Sequence, residues 1–319
     1  METLLEIKNL EMKYAVKSAF SGAARGYVNA VNNVSFEIKK GEILGLVGES
    51  GCGKSTLGRC LLALEKGFSG EILFQGENIL NIQNSKDFRK SAQMIFQNPY
   101  ASLNPRMKIY DILKEPLLIH GIKDKNLINQ RISEVCELTG IDKDSLDYYP
   151  HEFSGGQRQR ISIASAIILK PEFIVADEPV SALDVSIRAQ IINLLKELQE
   201  KLDLTILFIS HDLSVVRYIS DRTAVMYLGE IVEFADNEEL FQNPKHPYTE
   251  ILLSSVPKIN REQKEKMIIS GDIPSPRNLP EGCKFHTRCG RVFDRCKKEN
   301  PKFLQISDNH FVKCNLYEA

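Results

Sequence analysis

Short continuous apolar runs alternate along this chain with segments in which apolar residues recur every three or four positions, the signature of buried strands interleaved with amphipathic helices. Leu4 to Leu10 and Val34 to Ile38 read as short strands, separated by a polar, Gly/Ala-rich inserted loop from Lys17 to Arg25. Ile43 to Val47 is a buried strand, and the helix predicted after it carries Leu57, Leu61, Leu62 and Leu64. From Pro99 to Pro150 the pattern is helical, with Ile109, Ile112, Leu113, Leu117, Ile128, Ile132, Val135 and Leu138 apolar among charged residues. A helix follows Gly156 through Ile161, Ile163, Ala164 and Ile167. Phe173 to Ala176 and Thr205 to Ile209 are two more buried strands, with a helix from Ser186 to Leu202 between them. That βαβ alternation predicts an α/β fold with a parallel sheet covered by helices on its faces. Arg222 to Tyr227 and Ile231 to Phe234 form a hairpin about Leu228-Gly229.

After Pro257 the character changes to Lys/Glu-rich, then to a Pro-rich link around Ile273-Pro274-Ser275-Pro276, then to a cysteine-bearing tail. This divides the 319 residues into a main domain, 1–257, and an extension, 258–319. The net charge of -1 supplies no field that would attract nucleic acid or anionic lipid. The N-terminal residues lack a basic start and apolar run, and no stretch approaches the roughly 20 apolar residues that span a bilayer, so a soluble cytosolic chain is expected. Seven cysteines in that setting are not expected to form structural disulfides.

Five segments carry candidate chemistry. Gly48-Glu49-Ser50-Gly51-Cys52-Gly53-Lys54-Ser55 fits the phosphate-loop pattern in full and has the required strand before it and helix after it. Its backbone N–H groups would cradle phosphates, Lys54 would reach the β- and γ-phosphates, and the Ser55 hydroxyl would ligate Mg²⁺. A hydrolase elbow about Ser50 fails because Cys52 stands where glycine is needed. Asp177 and Glu178 end an apolar strand, which should bring them to the same crevice. Asp177 is the candidate Mg²⁺ partner and Glu178 the candidate base for the attacking water. Gln97 and His211 end two further strands, within reach of Mg²⁺ and the attacking water for the first and of the γ-phosphate for the second. Ser210-His211-Asp212 is not a hydrolytic triad, since adjacent residues cannot supply its geometry. Ser154-Gly155-Gly156-Gln157 opens a second helix and offers another anion site with no local phosphate to fill, which points to the nucleotide of a second subunit.

Taken together, Gly48 to Ser55, Gln97, Ser154 to Gln157, Asp177-Glu178, Ser181-Ala182-Leu183-Asp184 and His211 resemble, in type and order, the motifs of ATP-binding-cassette (ABC) ATPases over roughly residues 1–250. The resemblance implies a RecA-like parallel core, an antiparallel β subdomain and a helical insertion at about 99–158. It implies ATP and Mg²⁺ bound by Gly48, Ser50, Gly51, Cys52, Gly53, Lys54, Ser55, Thr56, Gln97, Asp177, Glu178 and His211, with Tyr14 stacked on adenine and Tyr27 as the second candidate. It further implies a head-to-tail dimer in which Ser154 to Gln157 serve the partner's ATP and Asp184 lies in the loop between the two sites.

Cys283, Cys289, Cys296 and Cys314 follow the spacing C-x5-C-x6-C-x17-C. Four thiolates can hold zinc or an iron–sulfur cluster, with free buried thiols as the alternative. This tail, and the run from Asn243-Pro244-Lys245-His246-Pro247-Tyr248-Thr249 to Val256-Pro257, resemble the oligopeptide/dipeptide importer ATPases of the ABC family, and the resemblance implies a [4Fe–4S] cluster on those four cysteines. It also implies a heterodimer with a second ABC ATPase, two membrane permeases that dock near Gln97, an extracytoplasmic peptide-binding protein, and a peripheral place on the cytoplasmic face of the membrane. Near relatives import nickel, glutathione or sugars, and non-transport ABC ATPases are a further alternative; those commonly carry long coiled coils or two cassettes, and neither pattern occurs here.

Overall fold

The computed structural model describes residues 2–17, 24–98, 102–254 and 271–318. The expected boundary at Pro257, most of the inserted loop from Lys17 to Arg25 and the start of the helical segment at Pro99 lie outside the described residues.

Among the described residues the central sheet has eight strands: Ile43–Val47 (β3), Ala92–Ile95 (β6), Phe173–Asp177 (β7), Thr205–Ser210 (β8), Arg222–Tyr227 (β9), Glu230–Asp236 (β10), Phe303–Ser307 (β11) and His310–Lys313 (β12). Their order is β11-β12-β10-β9-β3-β8-β7-β6. The pairs β3–β8, β3–β9, β7–β8 and β6–β7 are parallel. Every residue of β3, β7 and β8 is buried. A strand buried on both faces needs apolar side chains at successive positions, which is why these segments read as continuous runs.

Alternation still divides their side chains between two cores. Ile43, Val47, Ile174, Ala176, Ile206 and Phe208 face one cluster, whereas Leu44, Leu46, Phe173, Val175, Leu207 and Ile209 face the other. The first core takes in the helices Ile109–Ile119, Lys125–Thr139, Gly155–Ile167 and Val185–Leu202. The second takes in the helix Lys54–Leu61 and the inner face of a separate antiparallel sheet. That sheet consists of Thr3–Lys17 (β1), Ala24–Lys39 (β2), Ser69–Phe74 (β4) and Glu77–Asn78 (β5), in the order β2-β1-β4-β5.

Three local expectations change. The first two strands are longer than the apolar pattern suggested, because backbone pairing continues past several register shifts to Lys17 and Ala24. Strand β4 was not expected at all; its exposed start, Ser69-Gly70, hides the alternation that its second half obeys. The helix after the phosphate loop stops at Leu61, and Leu64, expected on its buried face, is 49% exposed.

The extension also contributes to the main sheet. β12 pairs antiparallel with β10 through Val312, Phe311 and His310, and β11 covers β12 on its outer side. The parallel order brings the carboxyl ends of β3, β6, β7 and β8 to one edge, where the candidate residues lie.

The candidate nucleotide site

The phosphate loop leaves β3 at Gly48 and enters the helix Lys54–Leu61 with Gly53 as its cap. Gly48 and Gly53 sit at φ of 155° and 111°. A Cβ on Gly48 would lie 2.1 Å from the Met226 carbonyl oxygen, and one on Gly53 would lie 2.0 Å from that of Ala30. Only glycine meets both the backbone angle and the close approach. Lys54 is buried and donates from Nζ to the carbonyls of Gly48, at 2.8 Å, and Glu49, at 3.0 Å. Cys52 is buried against the loop, and burial above all pushes its thiol up, which leaves it a poor nucleophile. Ser50 and Gly51 are exposed, while Thr56 is half-buried on the first helical turn.

Ser55 Oγ donates to Asp177 Oδ1 at 2.8 Å, although 122 positions separate them. Asp177 is almost fully buried, and desolvation, only partly offset by the Ser55 hydrogen bond, raises its carboxyl above the ordinary value. Next to it, Glu178 adopts φ of 45° and its N–H donates to the Ile209 carbonyl at 3.0 Å. Left-handed backbone at a non-glycine residue is held in place here by β8 on one side and by Ser181, whose N–H and hydroxyl both donate to the Glu178 carbonyl. The Glu178 side chain accepts from Gln97 Nε2 at 2.9 Å and lies 3.3 Å from His211 Nδ1. Residues expected to share the crevice from three different strand ends therefore meet on one carboxylate oxygen.

Ser154, Gly155, Gly156 and Gln157 are elsewhere in the chain's own architecture, at the start of Gly155–Ile167. Ser154 and Gln157 form a reciprocal capping box: the Gln157 N–H donates to Ser154 Oγ at 3.3 Å and the Ser154 N–H donates to Gln157 Oε1 at 2.9 Å. Both side chains are exposed. Gly156 is buried against Ile187, where a Cβ would come within 2.5 Å of Cγ2. Ile187 belongs to the helix Val185–Leu202, whose cap is the exposed Asp184.

Tyr14 is half-buried beside Thr56 and Glu65, and burial is the first cause of its raised phenol pKa. Tyr27 is 56% exposed. The sequence reading missed Arg188, which donates from Nη1 to Asp212 at 3.2 Å and from Nη2 to the Leu183 carbonyl at 3.3 Å, tying the loop before Asp184 to the loop after His211. No local motif marks it.

Cys283, Cys289, Cys296 and Cys314 line one small cavity together with His246, Phe285 and His286. Burial above all pushes Cys283 up to about 12 and Cys314 up to about 11, and the neighbouring thiols add to the rise. The expectation of zinc or a [4Fe–4S] cluster on these cysteines finds no support in the observed geometry. Among the described residues no three His, Cys, Asp or Glu side chains are disposed to hold a metal ion, so the geometry gives no support to a zinc site or to a cluster. The four cysteines share only the lining of one cavity.

Among the described residues no helix is long and apolar enough to cross a membrane. Residues 31–181 match the ABC transporter family, and residues 232–296 match the C-terminal region of oligopeptide/dipeptide transporters. Over 99% of its length the chain is 51% identical to the oligopeptide transport ATP-binding protein AppF of Bacillus subtilis, 98% of which is covered. It is 49% identical to OppF of the same organism, over 99% of this chain and 98% of that one. Among solved structures, cbiO1 of Clostridium perfringens, part of an ABC transporter complex, superposes with a TM-score of 0.65 at 27% identity, covering 76% of this chain and 92% of its own. The cassette MJ0796, solved as a dimer in a post-hydrolysis state with ADP and Pi, gives 0.64 at 27% identity, covering 73% and 98%. The fold and the assembled site define an ABC-type ATPase, and the chain belongs to the ABC transporter family, in its branch of oligopeptide transport ATP-binding proteins.

Proposed function

We infer that this chain is the ATP-hydrolysing subunit of a peptide importer and that its own site is built to turn over ATP. The observation that carries this reading is the meeting of Gln97, Glu178 and His211 beside the Ser55–Asp177 pair. Glu178 is held by neighbours on two sides and lies at the strand end that opens on the phosphate loop, the arrangement a base for the attacking water requires. Lys54 reaches the β- and γ-phosphates, His211 contacts the γ-phosphate, and Tyr14 stacks on adenine. The oxygens of Ser55, Gln97 and Asp177 are the kind of hard donors that Mg²⁺ takes, and the bound ion would neutralise charge on the transferring phosphoryl group.

Ser154 to Gln157 act on the ATP of a second subunit. The exposure of Ser154 and Gln157, with the helix N-terminus behind them, suits an anion brought by another chain. The second subunit is a similar but non-identical ATPase, Asp184 lies between the two sites, and closure on two ATP alternates with opening after hydrolysis. Two permeases dock on the helical segment near Gln97, and an extracytoplasmic binding protein delivers the peptide. The match of residues 232–296 to oligopeptide/dipeptide transporters and the names of the relatives support that cargo and a peripheral location on the cytoplasmic face of the membrane.

The four cysteines of the 258–319 extension hold a [4Fe–4S] cluster that staples a segment with little core of its own. What supports this reading is that the four cysteines line one cavity. Iron and labile sulfide should co-purify with the chain and be lost together in Cys283→Ser; their absence from anaerobically prepared protein would refute the cluster. For the main reading, Lys54→Ala should abolish ATP turnover, and co-purification with permeases should be lost on altering the surface around Gln97. Undiminished ATPase in Lys54→Ala would sink the site assignment.

A further inference from the structure

Glu49, the second residue of the phosphate loop, takes both ends of the Arg288 guanidinium. Arg288 Nη2 donates to Glu49 Oε1 at 2.9 Å and Nη1 donates to Oε2 at 2.8 Å. The two residues are 239 positions apart, and their side chains are only 6% and 20% exposed. Nη1 also lies 3.3 Å from the Tyr227 hydroxyl. The rest of Glu49 is held as closely: its N–H donates to the Tyr248 hydroxyl at 3.0 Å, and its carbonyl accepts from Lys54 Nζ.

Arg288 closes the short turn His286–Arg288, between Cys283 and Cys289. Its N–H donates to the Phe285 carbonyl at 3.0 Å. The Phe285 ring meets Tyr227 edge-on at 5.2 Å and Tyr248 at 5.3 Å. The wall of the cysteine cavity and the phosphate loop are thus joined by one aromatic cluster and one bidentate ion pair. Two parallel hydrogen bonds fix orientation as well as charge, and a pair this buried is weakly screened by salt.

We propose that Arg288 is a positioning residue for ATP binding that acts through Glu49: its guanidinium cancels a carboxylate that would otherwise repel the triphosphate. The cysteine-bearing extension thereby sets the nucleotide affinity of the domain onto which it folds. The proposal requires only that the loop bind ATP; it is independent of the cargo and of what the cysteines hold.

The test compares MgATP affinity, by calorimetry on the purified full chain, among wild type, Arg288→Ala, Glu49→Gln and the double variant. One uncompensated charge beside a polyanion site, at the effective dielectric of a protein surface, corresponds to about tenfold in affinity. Arg288→Ala should weaken MgATP binding by about that factor. Glu49→Gln in the same chain should restore it to within about threefold, because the carboxylate left behind is gone. In the assembled transporter, Arg288→Ala should raise KM for ATP and leave kcat within about twofold. Unchanged affinity in Arg288→Ala, or a double variant as weak as the single one, would overturn the proposal. Should Arg288→Ala fail to fold, Glu49→Gln alone decides: affinity at or above wild type is expected, and a tenfold loss would refute the charge argument.

Discussion

Replacing Glu178 with glutamine removes a proton acceptor and almost nothing else. The amide has the size of the carboxylate and can still accept from Gln97 Nε2, now 2.9 Å from Glu178 Oε2. The backbone cost at φ 45° is the same for both residues, and the anchors from Ile209 and Ser181 act on main-chain atoms that the substitution leaves alone. The fold and the phosphate loop should therefore persist, with the unfolding temperature within about 2 °C of wild type. Turnover should not. A positioned general base contributes typically about 10² to 10⁴ in rate, and the intermediate loss of about 10³ corresponds to roughly 4 kcal/mol of transition-state stabilisation. Phosphate release from the assembled transporter, measured at saturating ATP, should fall by two to four orders of magnitude, roughly, while MgATP affinity of the isolated chain changes by less than about threefold. On the proposed cycle, in which opening follows hydrolysis, the ATP-loaded dimer should accumulate and be visible by size-exclusion chromatography. A variant that keeps kcat within about threefold of wild type would show that the Gln97–Glu178–His211 meeting point is not where water is activated.

Other perturbations test separate links. Gly53→Ala places a Cβ 2.0 Å from the Ala30 carbonyl at a φ of 111°, so MgATP binding should be lost and stability reduced by over about 2 kcal/mol, as read by urea unfolding. Gly156→Ala drives a methyl to 2.5 Å from Ile187 Cγ2 and pushes the Ser154 helix from the Asp184 helix; ATP binding to the isolated chain should be unchanged while transporter turnover drops about tenfold or more. Arg222→Met strands the buried carboxylate of Glu42, which it now holds through Nη2 at 2.7 Å and Nε at 2.9 Å. That should cost about 3–5 kcal/mol in equilibrium unfolding, largely recovered by adding Glu42→Gln.

The local character of the central strands was written in the sequence. Ile43 to Val47, Phe173 to Ala176 and Thr205 to Ile209 are buried on both faces, so their apolar runs are continuous and easily read. The glycines at 48 and 53 and the Ser154/Gln157 box are likewise local, because backbone angle and capping depend on residues a few positions apart. Order along the chain was enough to set Asp177, Glu178, Gln97 and His211 at strand ends. Pairing among them was not: that Ser55 meets Asp177, and that Gln97 and His211 meet on Glu178, follows from the order β3-β8-β7-β6, which non-local hydrogen bonding decides. The extension illustrates the same limit. Its cysteine spacing was legible, yet nothing near Val312 announces a strand partner at Glu233, and nothing near Arg288 announces Glu49. Such contacts join residues dozens to hundreds of positions apart, and no periodicity or motif encodes a partner at that separation. Composition and spacing determined which parts this ATPase has; only the packed sheet decided that its cysteine-bearing tail grips the loop that binds ATP.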